Sequence, residues 1–83
     1  MAEMNRELDR AVRRRFVLFD WLGMLDRRGI RLVDPWPIGR SLGMTNEETE
    51  RALASLTGIG WIARFGREGD ERVALTVQGL ARR

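Results

Sequence analysis

Between Pro37 and Thr76 the chain carries glycines and a helix-start signal whose spacing leaves little choice of local structure. Ile38-Gly39-Arg40-Ser41-Leu42 suits a short helix, about Pro37 to Leu42, with Pro37 in its first turn, where a missing N–H costs nothing. Gly43 breaks that helix. Thr45-Asn46-Glu47-Glu48 is then a capping box, in which the Thr45 and Glu48 side chains each bond the other's backbone N–H. It predicts a second helix running to about Thr57. Ala52, Leu53 and Leu56 form the inner face of this helix, with Thr49 at the edge of that face. Ile38, Leu42 and Met44 supply the opposing core, and Gly39 is small enough to let the two helices cross closely. Gly58 and Gly60 flank the exit. Ile59–Phe65 and Arg72–Val77 read as strands, and the polar residues 66–71 between them, with two Gly, read as a hairpin tip. Thr76 is placed to cap a last turn through Gln78, Gly79 and Leu80.

Upstream, residues 3–28 contain no Pro and one Gly, and good helix formers dominate, so they read as one long helix. Leu8, Ala11, Val12, Leu18, Leu22 and Leu25 recur at steps that give one apolar stripe. Val17, Trp21 and Met24 form a second stripe, and Phe16 and Phe19 lie between the two. A helix apolar nearly all round is covered on more than one side. A domain this short covers one side only, so the second stripe is assigned to the same helix of another copy. The competing assignment covers both stripes with the rest of the domain. Arg27, Arg28 and Gly29 end the helix, Ile30–Val33 reads as a short strand, and Asp34-Pro35-Trp36-Pro37 stops it.

Eighty-three residues allow one small domain, 1–83, with a limited core. Hydrophobic residues at 43% and charged residues at 33% describe a globular rather than a disordered chain. The absence of Cys excludes disulfides and thiol chemistry, and the absence of His leaves only carboxylates and carbonyls to hold a metal. No cofactor is expected. No apolar run reaches membrane-spanning length and no signal-peptide pattern opens the chain, which points to the cytoplasm. The net charge is +3, and every cation is Arg. A GC-rich coding bias accounts for that choice, yet the planar fork also suits phosphate and guanine edges.

The order and spacing of Ile38-Gly39, Leu42-Gly43-Met44, Ala52-Leu53-x-x-Leu56-x-x-x-Gly60-Trp61-Ile62 and Leu75-Thr76-x-x-Gly79 resemble the winged helix-turn-helix domains of bacterial and archaeal transcription regulators, broadly the MarR-like group. The resemblance covers residues 30–80. With the long N-terminal helix (3–28) read from the residues, it implies an α+β, mainly α fold with a helix-turn-helix (37–57) and a two- to three-stranded antiparallel wing (59–77). It also implies a dimeric regulator that reads double-stranded DNA, with the second helix in the major groove and the wing on the adjacent backbone. Carried onto this chain, the reading residues are Thr45, Asn46, Glu47, Glu50, Arg51 and Ser55. The wing contacts are Arg64, Arg67 and Arg72, and Arg40 touches a phosphate. The dimer contacts are Val17, Trp21 and Met24.

The charges do not all agree with that picture. From Asn46 to Arg51 there are three Glu and one Arg, a local charge of −2. Glu47 and Glu48 suit the positive end of a helix, and Glu50 suits a pairing with a neighbouring Arg. An acidic second helix also fits a protein-interaction module docking on a basic partner. Arg13-Arg14-Arg15 spreads over most of a helical turn and makes no single patch. Nothing in the residue set points to an enzyme. Phe16, Phe19 and Trp21 are expected in the core or dimer contacts, and Trp36 and Trp61 in packing beside turns.

Overall fold

The computed structural model describes residues 2–67 and 69–83, with side chains described from residue 10 onward apart from 11 and 68. Six elements follow in order: α1 (Ala2–Arg27), α2 (Pro35–Ser41), α3 (Asn46–Gly58), β1 (Ile62–Arg67), β2 (Asp70–Leu75) and α4 (Val77–Arg82). The class is α+β and mainly helical. No helix among the described residues is long and apolar enough to cross a membrane.

At about 1.5 Å per residue, a helix of 26 residues runs roughly 39 Å. That nearly fills the 41 Å long axis of the molecule. Among the described residues of α1, those that enter the core lie in its C-terminal half. Leu18, Phe19 and Leu22 are buried and Leu25 packs against them, joining a core completed by Val33, Met44, Ala52, Leu53, Leu56, Ile62 and Val73. Each fully buried Leu or Ile of this set contributes on the order of 1.5–3 kcal/mol by leaving water. Val12, expected on the inner stripe, is exposed because the packed layer ends short of it. Leu8 and Ala11, placed on the same stripe, have side chains outside the described set.

α2 starts two residues earlier than expected. The Asp34 carboxylate accepts a hydrogen bond from the Trp36 N–H at 3.1 Å, so Asp34 is the N-cap and Pro35 takes the first helical position. Asp34→Ala is expected to cost about 1 kcal/mol in urea unfolding. Asp34→Asn should cost only a few tenths, because the amide oxygen keeps the cap; an equal loss for both would give the effect to the neighbouring Arg72 instead. The turn out of α2 is as expected. Gly43 sits at φ +77°, where a Cβ is disfavoured, and the Met44 N–H donates to the Gly39 carbonyl at 2.9 Å.

The capping box of α3 is present in full, with both Thr45–Glu48 bonds at 3.0 Å. Ala52, Leu53 and Leu56 face inward as expected. Thr49 departs from its expected place at the edge. It is wholly buried against α2, and its hydroxyl donates to the Thr45 carbonyl at 2.9 Å.

The strands are shifted along the chain from their expected bounds. Ile59 caps the C-terminus of α3, and the Trp61 N–H donates to the Leu56 carbonyl at 3.0 Å. The backbone is therefore committed to the helix end until Ile62. From there β1 and β2 pair antiparallel from Ile62↔Leu75 to Arg67↔Asp70, so residues 66, 67, 70 and 71 of the expected tip belong to the ladder. Glu68, expected in that tip, lies outside the described residues. Of Ile30–Val33 only Val33 pairs, in a single bridge to Val73 on the other side of β2. Thr76 caps α4 by accepting from the Gly79 N–H at 3.0 Å, so Val77 belongs to that helix and not to the strand. An ion pair of Arg83 with Asp26 ties α4 to the end of α1. Trp61 packs as expected, 4.9 Å from the Phe19 ring and 6.2 Å from the Phe16 ring, and Trp36 packs against the core.

Candidate functional site

α3 has three sides. Thr49, Ala52, Leu53 and Leu56 face the core, and Glu48 and Ser55 face α1. Asn46, Glu47, Glu50, Arg51 and Ala54 form an exposed outer edge. Ser55 was expected on that outer edge. It is turned inward, where its Oγ accepts from Arg15 Nη1 at 2.9 Å. Thr45 is exposed, and its hydroxyl oxygen accepts the Glu48 N–H. Arg40 is exposed on α2. Arg51 pairs with Glu47 at 3.2 Å, one helical turn away.

The hairpin sorts its arginines by strand alternation. Ile62, Arg64, Glu71, Val73 and Leu75 occupy one face, which meets the core, and Phe65, Arg67, Asp70 and Arg72 the other. Arg67 is exposed near the tip. Arg72 reaches Asp70 at 3.5 Å and Asp34 at 3.8 Å and donates to the Glu71 carbonyl at 2.8 Å. Arg64 is therefore not a free cation on the outside of the wing. It forks onto Glu50 of α3, with Nη1 at 2.5 Å and Nη2 at 3.0 Å, while its Nε donates to Glu71 at 2.5 Å. The bonds to Glu50 and then Glu71 raise the Arg64 pKa above its already high ordinary value, against a smaller opposing effect of burial. Two carboxylates on one guanidinium leave the cluster net negative.

A groove of about 680 Å³ separates the start of α3 from the hairpin, lined by Trp36, Asn46, Glu47, Arg67 and the Glu50 and Glu71 carboxylates among others. The α3–wing surface is consequently not one continuous positive face. The face that Arg64 occupies was legible in the chain, since Arg64 follows Ile62 by two residues and alternation turns both the same way; its carboxylate partners were not.

The run Arg13-Arg14-Arg15 fans out, as its spacing requires. Arg13 faces solvent, Arg14 forms an ion pair with Glu48, and Arg15 reaches Ser55. Arg10, Arg14, Arg15 and Arg51 line a second cleft, of about 370 Å³, between α1 and α3. Farther along α1, Val17 and Trp21 remain 42% and 40% exposed and Met24 is half-buried. No group of three or more acidic residues among those described is arranged to hold a metal ion.

No family model, curated protein or solved structure matches this chain.

The sites above therefore stand on their own chemistry. The outer edge of α3 offers an amide at Asn46, a guanidinium at Arg51 and a carboxylate at Glu50 within a short span. Those groups are suited to polar edges of a large partner.

Proposed function

We propose that the chain is a winged helix-turn-helix protein that binds double-stranded DNA as a homodimer, with α2 and α3 as the helix-turn-helix and β1–β2 as the wing. The observation that carries this reading is the exposed polar edge of α3, set beside a hairpin whose outer face bears Arg67 and Arg72. α3 enters the major groove, where Asn46 pairs with adenine and Arg51 exchanges Glu47 for guanine. Glu50, its charge partly offset by the Arg64 it shares with Glu71, accepts from cytosine N4 without the full repulsion of a bare carboxylate. Arg40 and Arg67 contact phosphates. The side of α1 turned away from the core, with the exposed Val17 and Trp21 and the adjoining Met24, pairs with its copy. No catalytic step is assigned to the chain, and its place of action is the cytoplasm, where DNA is accessible.

The test is fluorescence anisotropy on a pool of duplex fragments over a salt series. Wild-type protein is expected to bind at low salt, with affinity falling linearly on a log–log plot. Arg67→Ala should reduce the magnitude of that slope by about 0.9, the value of one neutralised phosphate. An unchanged slope removes Arg67 from the interface. The acidic groove beside α3 favours a second reading, a module that docks a basic protein segment. Absence of binding to any duplex at low salt would replace the DNA reading with that one.

A further inference from the structure

The cleft between α1 and α3 shares only Arg51 with the DNA reading, and it is the most basic concavity among the described residues. Four guanidinium groups, those of Arg10, Arg14, Arg15 and Arg51, line it with one carboxylate among the described residues, Glu48. Concentrating like charges in a concave, partly dry space is unfavourable without a counter-charge. Glu48 offsets only part of this, through its ion pair with Arg14.

Arg15 is held in place by two contacts. Its Nη1 donates to Ser55 at 2.9 Å, and its guanidinium lies 4.8 Å from the centre of the Phe16 ring. Its Nε is buried and has no acceptor among the described residues. An unsatisfied donor on a charged group is costly, and an anion supplies the missing acceptor. At about 370 Å³ the cleft is of the size that takes a small organic ligand.

We propose that this cleft is a binding site for a small phosphorylated molecule. Arg14 and Arg15 are held by Glu48 and Ser55, and Arg10 and Arg51 close on the anion from the two helices. Guanidinium forks match phosphate oxygens in pairs, and a phosphate carries the multiple charge that four arginines call for. A nucleic-acid backbone fits less well, because Arg14 is only 34% exposed and Arg15 Nε is buried. The site is linked to the start of α3 through one side chain: Glu48 pairs with Arg14 and also accepts the Thr45 N–H. An anion drawing Arg14 away therefore acts on the cap that orders Asn46. This last link rests on the DNA reading; the binding site itself does not.

The experiment is a titration of the full chain with inorganic pyrophosphate at constant ionic strength, followed by ¹H–¹⁵N NMR including the arginine Nε–H signals. Saturable shifts are expected at Arg15 Nε, Ala52 and Ser55. Arg15→Gln and, on the exposed side, Arg51→Gln should each weaken binding about tenfold or more, as loss of a charge-assisted hydrogen bond does. Arg28→Gln, away from the cleft, should leave it unchanged. Unaltered affinity in both cleft variants, or equal shifts at Arg27, Arg28 and Arg31, would overturn the site. Addition of duplex DNA separates the two proposals. Simultaneous binding of duplex and pyrophosphate supports the small-molecule site. Displacement of pyrophosphate with duplex-induced shifts at Arg10, Arg14 and Arg15 gives the cleft to nucleic-acid backbone and ends the proposal.

Discussion

Gly39→Ala is expected to destabilise the fold by about 1–3 kcal/mol, a large share of what a small domain has to lose. A Cβ at this position would lie 2.1 Å from Thr49 Oγ1, 2.9 Å from its Cγ2 and 3.0 Å from its Cβ. Thr49 cannot swing aside cheaply. It is fully buried, and its hydroxyl is engaged with the Thr45 carbonyl. The added methyl must therefore push α2 away from α3, which also loosens the Leu53 and Leu56 packing beneath. Thr49→Ala removes the two clashing atoms and should itself cost about 1–2 kcal/mol for the lost hydrogen bond and the methyl. The double variant Gly39→Ala/Thr49→Ala then has the new methyl in the space vacated. Its destabilisation in urea unfolding should fall short of the sum of the single changes by about 1 kcal/mol or more. Additive effects would show that the helices are not held at this crossing by the size of residue 39.

How legible this crossing is in the chain depends on which forces are local. Gly39, Gly43 and the Thr45–Glu48 box declare the short helix, the turn and the next helix, because each is a backbone requirement met within a few residues. The start of α2 was legible too, but in a different place: Asp34-Pro35 is a cap followed by a first-turn proline, and it outranks Pro37 because Asp34 supplies the acceptor. The burial of Thr49 was not legible. A threonine at the border of an apolar stripe becomes core only because a glycine faces it from another element. The hairpin bounds failed for a related reason. Ile59 and Trp61 are β-prone, but their N–H groups close the end of α3, and no local propensity reveals that commitment. For the candidate interface, exposure of Asn46, Glu47 and Arg51 followed from helical phase. The engagement of Arg64 by carboxylates from α3 and β2 needed the tertiary pairing, although the general expectation that Glu50 finds an arginine was met.

Arg64→Met should separate the structural from the DNA-contacting arginines. In the wild type one guanidinium serves Glu50 across a helix–hairpin junction and Glu71 across the ladder. Removing it leaves two carboxylates at one place, and the Glu71 side chain is only 16% exposed. Breaking a fully buried pair costs about 3–5 kcal/mol. Arg64 retains 25% exposure and Glu50 is half exposed, so solvent screens part of the loss and about 1–2 kcal/mol is expected. Adding Glu71→Gln should recover much of it, because the more buried like charge is gone. The folded-state pKa of Arg64 is raised above its unfolded value, so its contribution is complete at neutral pH. It would be lost only as pH rises through the folded value, far into the alkaline range. The stability difference between wild type and Arg64→Met should accordingly stay flat from about pH 7 to 9 and shrink in high salt. In the DNA assay the same variant frees Glu50 as a bare carboxylate and weakens binding to all duplexes. The salt slope should nevertheless hold, since an arginine already occupied by two glutamates releases no counterion from DNA. A slope reduced by about 0.9, as expected for Arg67→Ala, would place Arg64 on a phosphate and show that the clamp opens when DNA arrives.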